Sequence, residues 1–301
     1  MKNPVEPLVG RYERTIERAR ARSRAFDHLW RAKERYGECL GGRLAAAIAY
    51  YAFFAAFALA FVAFSVLGYA LGTYSELEGT VAAYLDRNLP QLEVEQIRQP
   101  RGTFAVIGFV GLVLIGVRWV EGLRSSQRLI WGLDQQPGNP VVRRLVDLGM
   151  LAGLGLLWAL SLWLAGSIER LLTPALGWIG AVLGWAVNLV VAAALLAAVP
   201  RLRMPVRRLL PPALLVATGI SLLTTAGQVI VRRTEDNPAY QVVSSVAGLL
   251  LFLYLFSQLL LFAAAFAATG GRGPVRDLAT AAVVTPDRDS SFPPKRGGGA
   301  R

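Results

Sequence analysis

The sequence predicts an all-α, polytopic membrane protein, a bundle of six transmembrane helices preceded by an amphipathic helix at the membrane interface. Three observations support this fold class. Hydrophobic residues make up 54% of the 301 residues, only 17% are charged, and the charges are concentrated between long apolar segments. A soluble domain would interleave the two kinds of residue, whereas a hydrocarbon core of about 30 Å requires roughly 20 consecutive apolar residues per helix.

Six apolar segments are candidates for these helices, and they divide the chain into three regions. The segments run over residues 44–71, 104–120, 145–168, 176–199, 209–231 and 240–269. None alternates polar and apolar residues as barrel strands do, and uninterrupted apolar runs satisfy their backbone in hydrocarbon only as helices. We therefore expect a basic cytoplasmic segment over 1–43, a transmembrane domain over 44–269, and a disordered basic tail over 270–301, which is rich in Gly, Pro and Arg.

The distribution of Lys and Arg predicts the orientation. Eleven precede the first segment, four lie between the second and third, four between the fourth and fifth, and six follow the last. The alternate connections carry three, one and two. Because basic loops are retained inside, we expect both termini on the cytoplasmic side of a bacterial plasma membrane.

The segment before the first span is predicted to be a basic amphipathic helix that ends near Gly37. Its apolar face recurs at helical spacing and comprises Tyr12, Ile16, Ala19, Ser23, Phe26 and Trp30. Three placements remain open: along the anionic inner leaflet, against the cytoplasmic loops of the bundle, or in solvent. A second short amphipathic helix is expected in the exterior loop over 72–103, where the sequence does not decide whether it forms a lid.

The inventory of chemistry-bearing residues is thin. His28 is the single histidine, Cys39 is the single cysteine, and no glycine-rich phosphate loop follows a strand. We expect no enzymatic activity, no cofactor and no metal site. The basic excess of +12 is explained by membrane orientation and contact with anionic lipids, so nucleic acid is not an expected partner.

Polar residues within the apolar segments are the sharper clues, because hydrocarbon makes them costly unless they face the bundle or water. Candidates for lining a cavity are Tyr51, Asn188, Tyr254, Ser257 and Gln258. The alternative is that each makes a hydrogen bond between helices, which contributes about 1 kcal/mol.

Charged residues at the inner ends of the segments are candidates for ion pairs. Arg118 and Glu121 are three residues apart, so they can meet on one helical face. Asp147 follows Arg143 and Arg144 closely, and we interpret it as part of an interfacial ion pair rather than as a proton-coupling acid.

Four local motifs occur in the order found in a known family. They are Ala45-Ala-Ala-Ile-Ala-Tyr50-Tyr51, Gly122-Leu-Arg124-Ser-Ser-Gln-Arg128-Leu-Ile-Trp-Gly132 with Pro140 and Arg143-Arg144 after it, Arg203-Met-Pro205 before Leu209-Leu-Pro211, and Asn237-Pro-Ala-Tyr240. Their order and topology resemble the YihY/BrkB family of bacterial inner-membrane proteins over about residues 25–269. Three positions depart from the family pattern: Ala58 replaces a common proline, Gln241 a common glycine, and Phe262-Ala-Ala-Ala-Phe266 lacks the usual glutamate.

The resemblance implies an envelope-associated membrane protein that acts as a transporter of a lipid or amphipathic molecule. A non-transporting scaffold for cell-envelope factors is the alternative, and the accessible basic helix and tail favour it. Neither the substrate, the energy coupling nor the oligomeric state follows from the sequence.

Overall fold

The computed structural model describes residues 16–73, 102–171, 177–233, 238–271, 273–280 and 282–284. The predicted exterior helix within 74–101 and the position of Tyr12 lie outside these ranges. Seven long helices occur in the described part. They are α1 (Arg24–Glu38), α2 (Gly41–Thr73), α3 (Gly102–Ile130), α4 (Pro140–Leu171), α5 (Gly177–Ala193, continued by a π-helical turn over Ala194–Ala198), α6 (Val206–Arg233) and α7 (Pro238–Ala268).

Each of the helices α2 to α7 overlaps one of the six predicted apolar segments. Four have stretches that are long and apolar enough to cross a membrane, namely Gly41–Ala63, Val106–Ile130, Val206–Gly227 and Val246–Ala268. Val182–Ala198 is a shorter apolar helix. Large apolar side chains such as Leu114, Leu156 and Leu222 are more than 60% exposed, which suits a lipid environment and not water.

Helix α3 extends ten residues beyond Val120, where the second apolar segment was predicted to end. The prediction assigned the following residues to a polar connection because they include Arg124 and Arg128. These side chains are fully buried, together with Leu123 and Ile130. The helix continues because its polar residues are enclosed by the rest of the protein.

The helices alternate in direction, so α3, α5 and α7 finish at the same end of the bundle where α4 and α6 begin. We call this the charged end. Helix α1 also lies there, because Arg35 Nε donates to the carbonyl of Ile130 at 2.9 Å and His28 Nε2 lies 2.9 Å from the carbonyl oxygen of Phe266. Both terminal regions of the described chain therefore lie at one end.

Helix α1 begins one residue after Ser23, whose hydroxyl accepts a hydrogen bond from the backbone N–H of Phe26 at 3.3 Å. This cap separates α1 from the helical residues 16–22, which sequence periodicity had joined to it. The helix ends at Glu38, and Leu40 then turns the chain into α2 with a φ of 53°. Helix α1 packs on α7 through the rings of His28 and Tyr36, which meet Phe266 and Phe262, a different face from the predicted apolar one.

The tail differs from the predicted disorder over part of its length. Three short strands form an antiparallel sheet in the order β1 (Leu202–Arg203), β2 (Val275–Asp277) and β3 (Val283–Val284). Val275 is fully buried against Trp131, Leu202 and Ala267. Composition alone indicated disorder because the anchors of this segment, Trp131 and the partners of Asp277, are distant in sequence.

Small residues pack the described interior of the bundle near the charged end. Ala45 of α2, Ala213 of α6 and Ala263, Ala264 and Ala265 of α7 are 0–1% exposed and belong to one apolar cluster. Alanines allow helix backbones to approach closely, which is how helices associate where lipid supplies no hydrophobic drive. The interior at this level is packed by side chains.

Close approach of α2 and α3 at Gly108 gives a test of the helix pairing. A Cβ at Gly108 would stand 2.8 Å from Phe61 Cβ and 3.2 Å from the backbone nitrogen of Val62. We expect Gly108→Ala to destabilise the protein by about 1–3 kcal/mol, because the rigid α2 backbone must move away. The measurement is the thermal unfolding midpoint in detergent.

Gly155→Ala in α4 is the matched control, since no atom of a described residue outside its own helical backbone lies within 4 Å of its added Cβ. Alanine favours helix over glycine by about 1 kcal/mol, so the control should be neutral or stabilising. Equal destabilisation by both variants would contradict the described contact between α2 and α3.

Candidate functional site

Three buried arginines organise the charged end of the bundle. Arg124 and Arg128 are four residues apart on the last turns of α3, so both project from one side of the helix. Arg208 lies in the first turn of α6. All three are at most 3% exposed, and a guanidinium removed from water must be paired or hydrogen-bonded throughout.

Arg124 forms a bidentate ion pair with Asp147 of α4. Its Nε and Nη2 donate to the two carboxylate oxygens at 2.9 Å each, and Nη1 donates to the carbonyl of Gln135 at 3.0 Å. Arg201 contacts the same carboxylate at 3.4 Å. Asp147 is therefore held by Arg124 and Arg201, although sequence proximity had suggested Arg143 or Arg144.

Arg128 joins three segments that are far apart in sequence. It pairs in bidentate fashion with Asp277 of β2 at 2.9 and 2.8 Å and donates to the carbonyls of Asp134 and Pro200 at 2.6 and 3.0 Å. Burial raises the pKa of Asp277, but hydrogen bonds from Arg128 and from its own turn outweigh this effect and hold that pKa below its ordinary value. The carboxylate is charged at neutral pH and secures the tail.

Arg208 donates hydrogen bonds to the backbone carbonyls at the end of α7 and pairs with no carboxylate of a described residue. Its Nε and Nη2 donate to the carbonyls of Ala267 and Ala268 at 3.0 Å each, and Nη1 donates to Gly273 at 2.8 Å. Its guanidinium lies over the ring of Trp131, 5.1 Å from the centroid. A cation at a helix C-terminus also complements the helix dipole. Nothing in these contacts leaves a reactive group exposed, so we interpret the charged end as a structural closure.

A groove opens on the side of the bundle between α1 and α7. It has a volume of about 300 Å³ and is lined by Tyr36 of α1 and by Gln258, Leu259 and Phe262 of α7. The rings of Tyr36 and Phe262 meet edge to face at 6.1 Å. We call this the Tyr36–Gln258 groove.

Two polar side chains line the Tyr36–Gln258 groove, and one of them has a buried group without a partner in the described part of the chain. The Tyr36 hydroxyl is buried and has no hydrogen-bond partner among the described residues. Gln258 is partly exposed in the groove. Burial raises the pKa of Tyr36, and the nearby Tyr254 raises it further, so the hydroxyl keeps its proton and remains a donor. A buried donor without an acceptor costs about 1–3 kcal/mol.

The structure separates the five candidate cavity residues. Tyr254 and Gln258 lie at or beside the groove. Asn188 instead donates to the Ser221 hydroxyl of α6 at 3.4 Å, and the Ser257 hydroxyl donates to its own helix at Leu253, 2.7 Å away. Tyr51 is 38% exposed and packs against Tyr50 on the surface of α2. The five residues do not line one continuous path in the described part of the chain.

The remaining candidate ion-pair residues lie near the surface. Arg118 Nη1 and Glu121 Oε2 of α3 are 3.5 Å apart. Arg143 donates to the backbone and side-chain oxygens of Gln136 at 3.1 Å each. Arg144 makes no ion pair with any residue that the structure describes.

Sequence reasoning missed Tyr36, Arg208 and Asp277, because their roles depend on contacts that no local pattern shows.

The sequence comparisons agree with the fold. A family model described as Virulence factor BrkB matches residues 32–282. The chain is 27% identical over 290 residues to the uncharacterized protein Dda3937_02003 of Dickeya dadantii (strain 3937), covering 86% of this chain and 87% of that protein. It is 27% identical over 270 residues to the inner membrane protein YhjD of Escherichia coli (strain K12), covering 80% of each. No solved structure matches the chain significantly.

The Arg128–Asp277 pair gives a test of the structural closure. We expect Asp277→Asn to weaken the attachment of β2 by about 3–5 kcal/mol, because Arg128 is left buried without a counter-charge. The measurement is the rate of tryptic cleavage at Arg276 in detergent-solubilised protein, which should rise.

Asp27→Asn is the matched control, since its pairs with Arg20 and Arg31 are partly exposed and contribute at most about 1 kcal/mol. Acid should act like the Asp277 substitution. Because folding lowers the pKa of Asp277, its ionised carboxylate stabilises the folded state at pH values above about 3.9, the pKa of an aspartate in the unfolded chain. This stabilisation is lost as the pH falls through the lower pKa of Asp277 in the folded protein. Unchanged cleavage in Asp277→Asn would show that the pair does not secure the tail.

Proposed function

Because the chain belongs to the BrkB family of inner-membrane proteins, we propose that it moves a lipid or amphipathic molecule across the bacterial inner membrane. The observation that carries this proposal is the Tyr36–Gln258 groove, which places the polar side chains of Tyr36 and Gln258 beside Leu259 and Phe262 at the side of an apolar bundle. A molecule with a polar head and an apolar body fits such a groove better than an ion or a sugar does, since its walls are mainly apolar.

The packed interior supports a route along the side of the bundle. Ala45, Ala264 and Leu261 fill the described interior beside the groove, and the arginine pairs close the charged end. An amphipathic molecule can approach from the leaflet without a central aqueous channel. The substrate would then keep its apolar part in the membrane while its head group contacts Gln258.

All six helices α2 to α7 cross the membrane in this proposal, with the charged end in the cytoplasm. The positive-inside pattern supports this orientation, and the described termini lie together at the charged end. Fluorescent-protein fusions at residue 1 and after residue 301 should both fluoresce, and alkaline phosphatase fused at the same points should be inactive. Active phosphatase at either point would refute the orientation.

Lipid movement is the direct test of function. In liposomes that contain the full-length protein, we expect a fluorescent head-group-labelled phospholipid to exchange between leaflets faster than in protein-free liposomes. Gln258→Leu should slow the exchange about fivefold, because about 1 kcal/mol of hydrogen bonding is lost.

Asn188→Leu is the matched control, since Asn188 is also a polar residue of a spanning helix but contacts Ser221 instead of the groove. Its exchange rate should equal that of the wild type. No protein-dependent movement across a panel of lipids and amphipathic solutes would refute the transport proposal.

A non-transporting scaffold for envelope factors is the second candidate function. It is favoured by the same closed end, because buried ion pairs and a docked tail make a rigid surface that carries many basic residues. Exchange that depends on Gln258 would count against the scaffold, whereas absence of any movement would favour it.

A further inference from the structure

The three-stranded sheet at the charged end has one buried and one exposed face. Leu202 and Asp277 are 3% and 1% exposed and face the bundle. Arg203 and Arg276 occupy the alternate positions and are exposed on the other face, because successive residues of a strand point to opposite sides. Val283 of β3 pairs with Arg276 and is 56% exposed. We call the surface formed by Arg203, Arg276 and Val283 the basic sheet face.

The register of the sheet places two like charges directly opposite each other. Arg203 of β1 is the antiparallel partner of Arg276 of β2. Directly opposed residues have Cβ atoms about 4.5–5.5 Å apart, and like charges in such a pair destabilise a sheet. Neither arginine forms an ion pair with a residue that the structure describes, and the neighbouring Asp277 lies on the buried face with Arg128. An anion between the two guanidinium groups removes this repulsion.

We propose that the basic sheet face binds anionic phospholipid head groups of the leaflet at the charged end, with a phosphate between the guanidinium groups of Arg203 and Arg276. Guanidinium groups suit this ligand because two of their N–H groups match two oxygens of one phosphate. The inference goes beyond the proposed function, since it does not require that the protein move a lipid. It takes from that proposal only the crossing of the membrane by α6.

The sheet lies close to the level at which the apolar part of the leaflet begins. Strand β1 ends at Arg203, and the apolar stretch of α6 begins at Val206. Three residues of chain span at most about 11 Å, so the backbone of Arg203 lies within that distance of Val206. A head-group layer is about 5–7 Å thick on each side of the apolar core. The long side chain of an arginine carries its charge across the remaining distance.

Exposed apolar residues beside the sheet mark the same level. Val142 and Leu145 in the first turns of α4 are 55% and 63% exposed, and Val206 in the first turn of α6 is 73% exposed. Arg201, which immediately precedes β1, donates to the carbonyl of Arg143 at 3.4 Å, so the start of α4 lies beside the sheet. The basic sheet face is therefore adjacent to two helix starts whose exposed apolar side chains suit lipid better than water.

The neighbouring residues favour a lipid over a soluble anion as the occupant. Arg144 is next to Leu145 and Arg207 is next to Val206, and all four are exposed. An anionic leaflet satisfies both kinds of side chain at once, because acyl chains cover the apolar residues while phosphates meet the arginines. A soluble anion would leave the apolar residues in water.

Thermal unfolding of the full-length protein in detergent, with and without added lipid, tests the site. Phosphatidylglycerol should raise the midpoint of the wild type more than phosphatidylcholine does, by linkage. Arg203→Gln and Arg276→Gln should each need about fivefold more phosphatidylglycerol for the same rise. Arg31→Gln is the matched control and should respond as the wild type does, since Arg31 is an exposed arginine at the same end that is already paired with Asp27 at 3.1 Å.

Charge reversal separates lipid binding from the stability of the sheet. Arg203→Glu converts the opposed like charges into an opposite-charge pair with Arg276, so without lipid this variant should unfold at the same temperature as the wild type or higher. Its response to phosphatidylglycerol should be lost. A retained response in Arg203→Glu, or equal responses of the wild type to phosphatidylglycerol and phosphatidylcholine, would overturn the inference.

Soluble ligands test the other occupants. Sodium phosphate and an acidic peptide, each compared with sodium chloride at the same ionic strength, should leave the midpoint of the wild type unchanged. A rise as large as that from phosphatidylglycerol would assign the face to a soluble anion or an acidic protein and overturn the lipid assignment.

Failure of the site and failure of the function give different results. A phosphatidylglycerol response that depends on Arg203, in a protein that supports no lipid exchange, supports the basic sheet face and refutes transport. Lipid exchange in a protein that lacks this response supports transport and overturns the basic sheet face as a lipid site.

Discussion

The burial of two arginine–aspartate pairs is the constraint on which the rest of the charged end depends. A guanidinium taken from water costs several kcal/mol unless it meets a carboxylate and further acceptors. Arg124 and Arg128 therefore bring Asp147 from α4 and Asp277 from the tail to the end of α3. Arg124 also donates to the carbonyl of Gln135, and Arg128 donates to those of Asp134 and Pro200. The two arginines therefore tie the connections between helices to the end of α3.

The ion pairs close the charged end, so the candidate site lies at the side of the bundle. The described interior beside the charged end is packed by alanines, and the polar candidates within the spans satisfy one another or their own helices, as Asn188 and Ser257 do. In the Tyr36–Gln258 groove, the buried Tyr36 hydroxyl has no acceptor among the described residues, as is also true of the buried Trp131 Nε1 at the charged end. A central channel would need polar side chains facing one another across the interior.

Helix positions were predictable because long apolar segments in a bilayer have only one way to satisfy their backbone. Each of the six predicted segments overlaps an observed helix, whereas the end of α3 was placed ten residues early. Charge was the criterion there, and it fails when arginines such as Arg128 are buried by partners distant in sequence. The same reason explains why the tail was predicted to be disordered. Its content of Gly, Pro and Arg indicates disorder, whereas the ion pair of Asp277 with the distant Arg128 orders the segment around β2. Of the candidate cavity residues, Gln258 was found by its polarity, while Tyr36 was hidden within an ordinary amphipathic pattern.

The sequence by itself determined the class of the protein, the positions of its helices and the asymmetry of its basic residues, because these depend on hydropathy and charge summed over local windows. The tertiary structure decided which charges are buried together, which face of α1 packs on α7, and where polar groups are left unsatisfied. Those properties depend on contacts between residues up to 149 positions apart, as for Arg128 and Asp277. No local pattern specifies them, because the free energy of a buried charge is set by what encloses it.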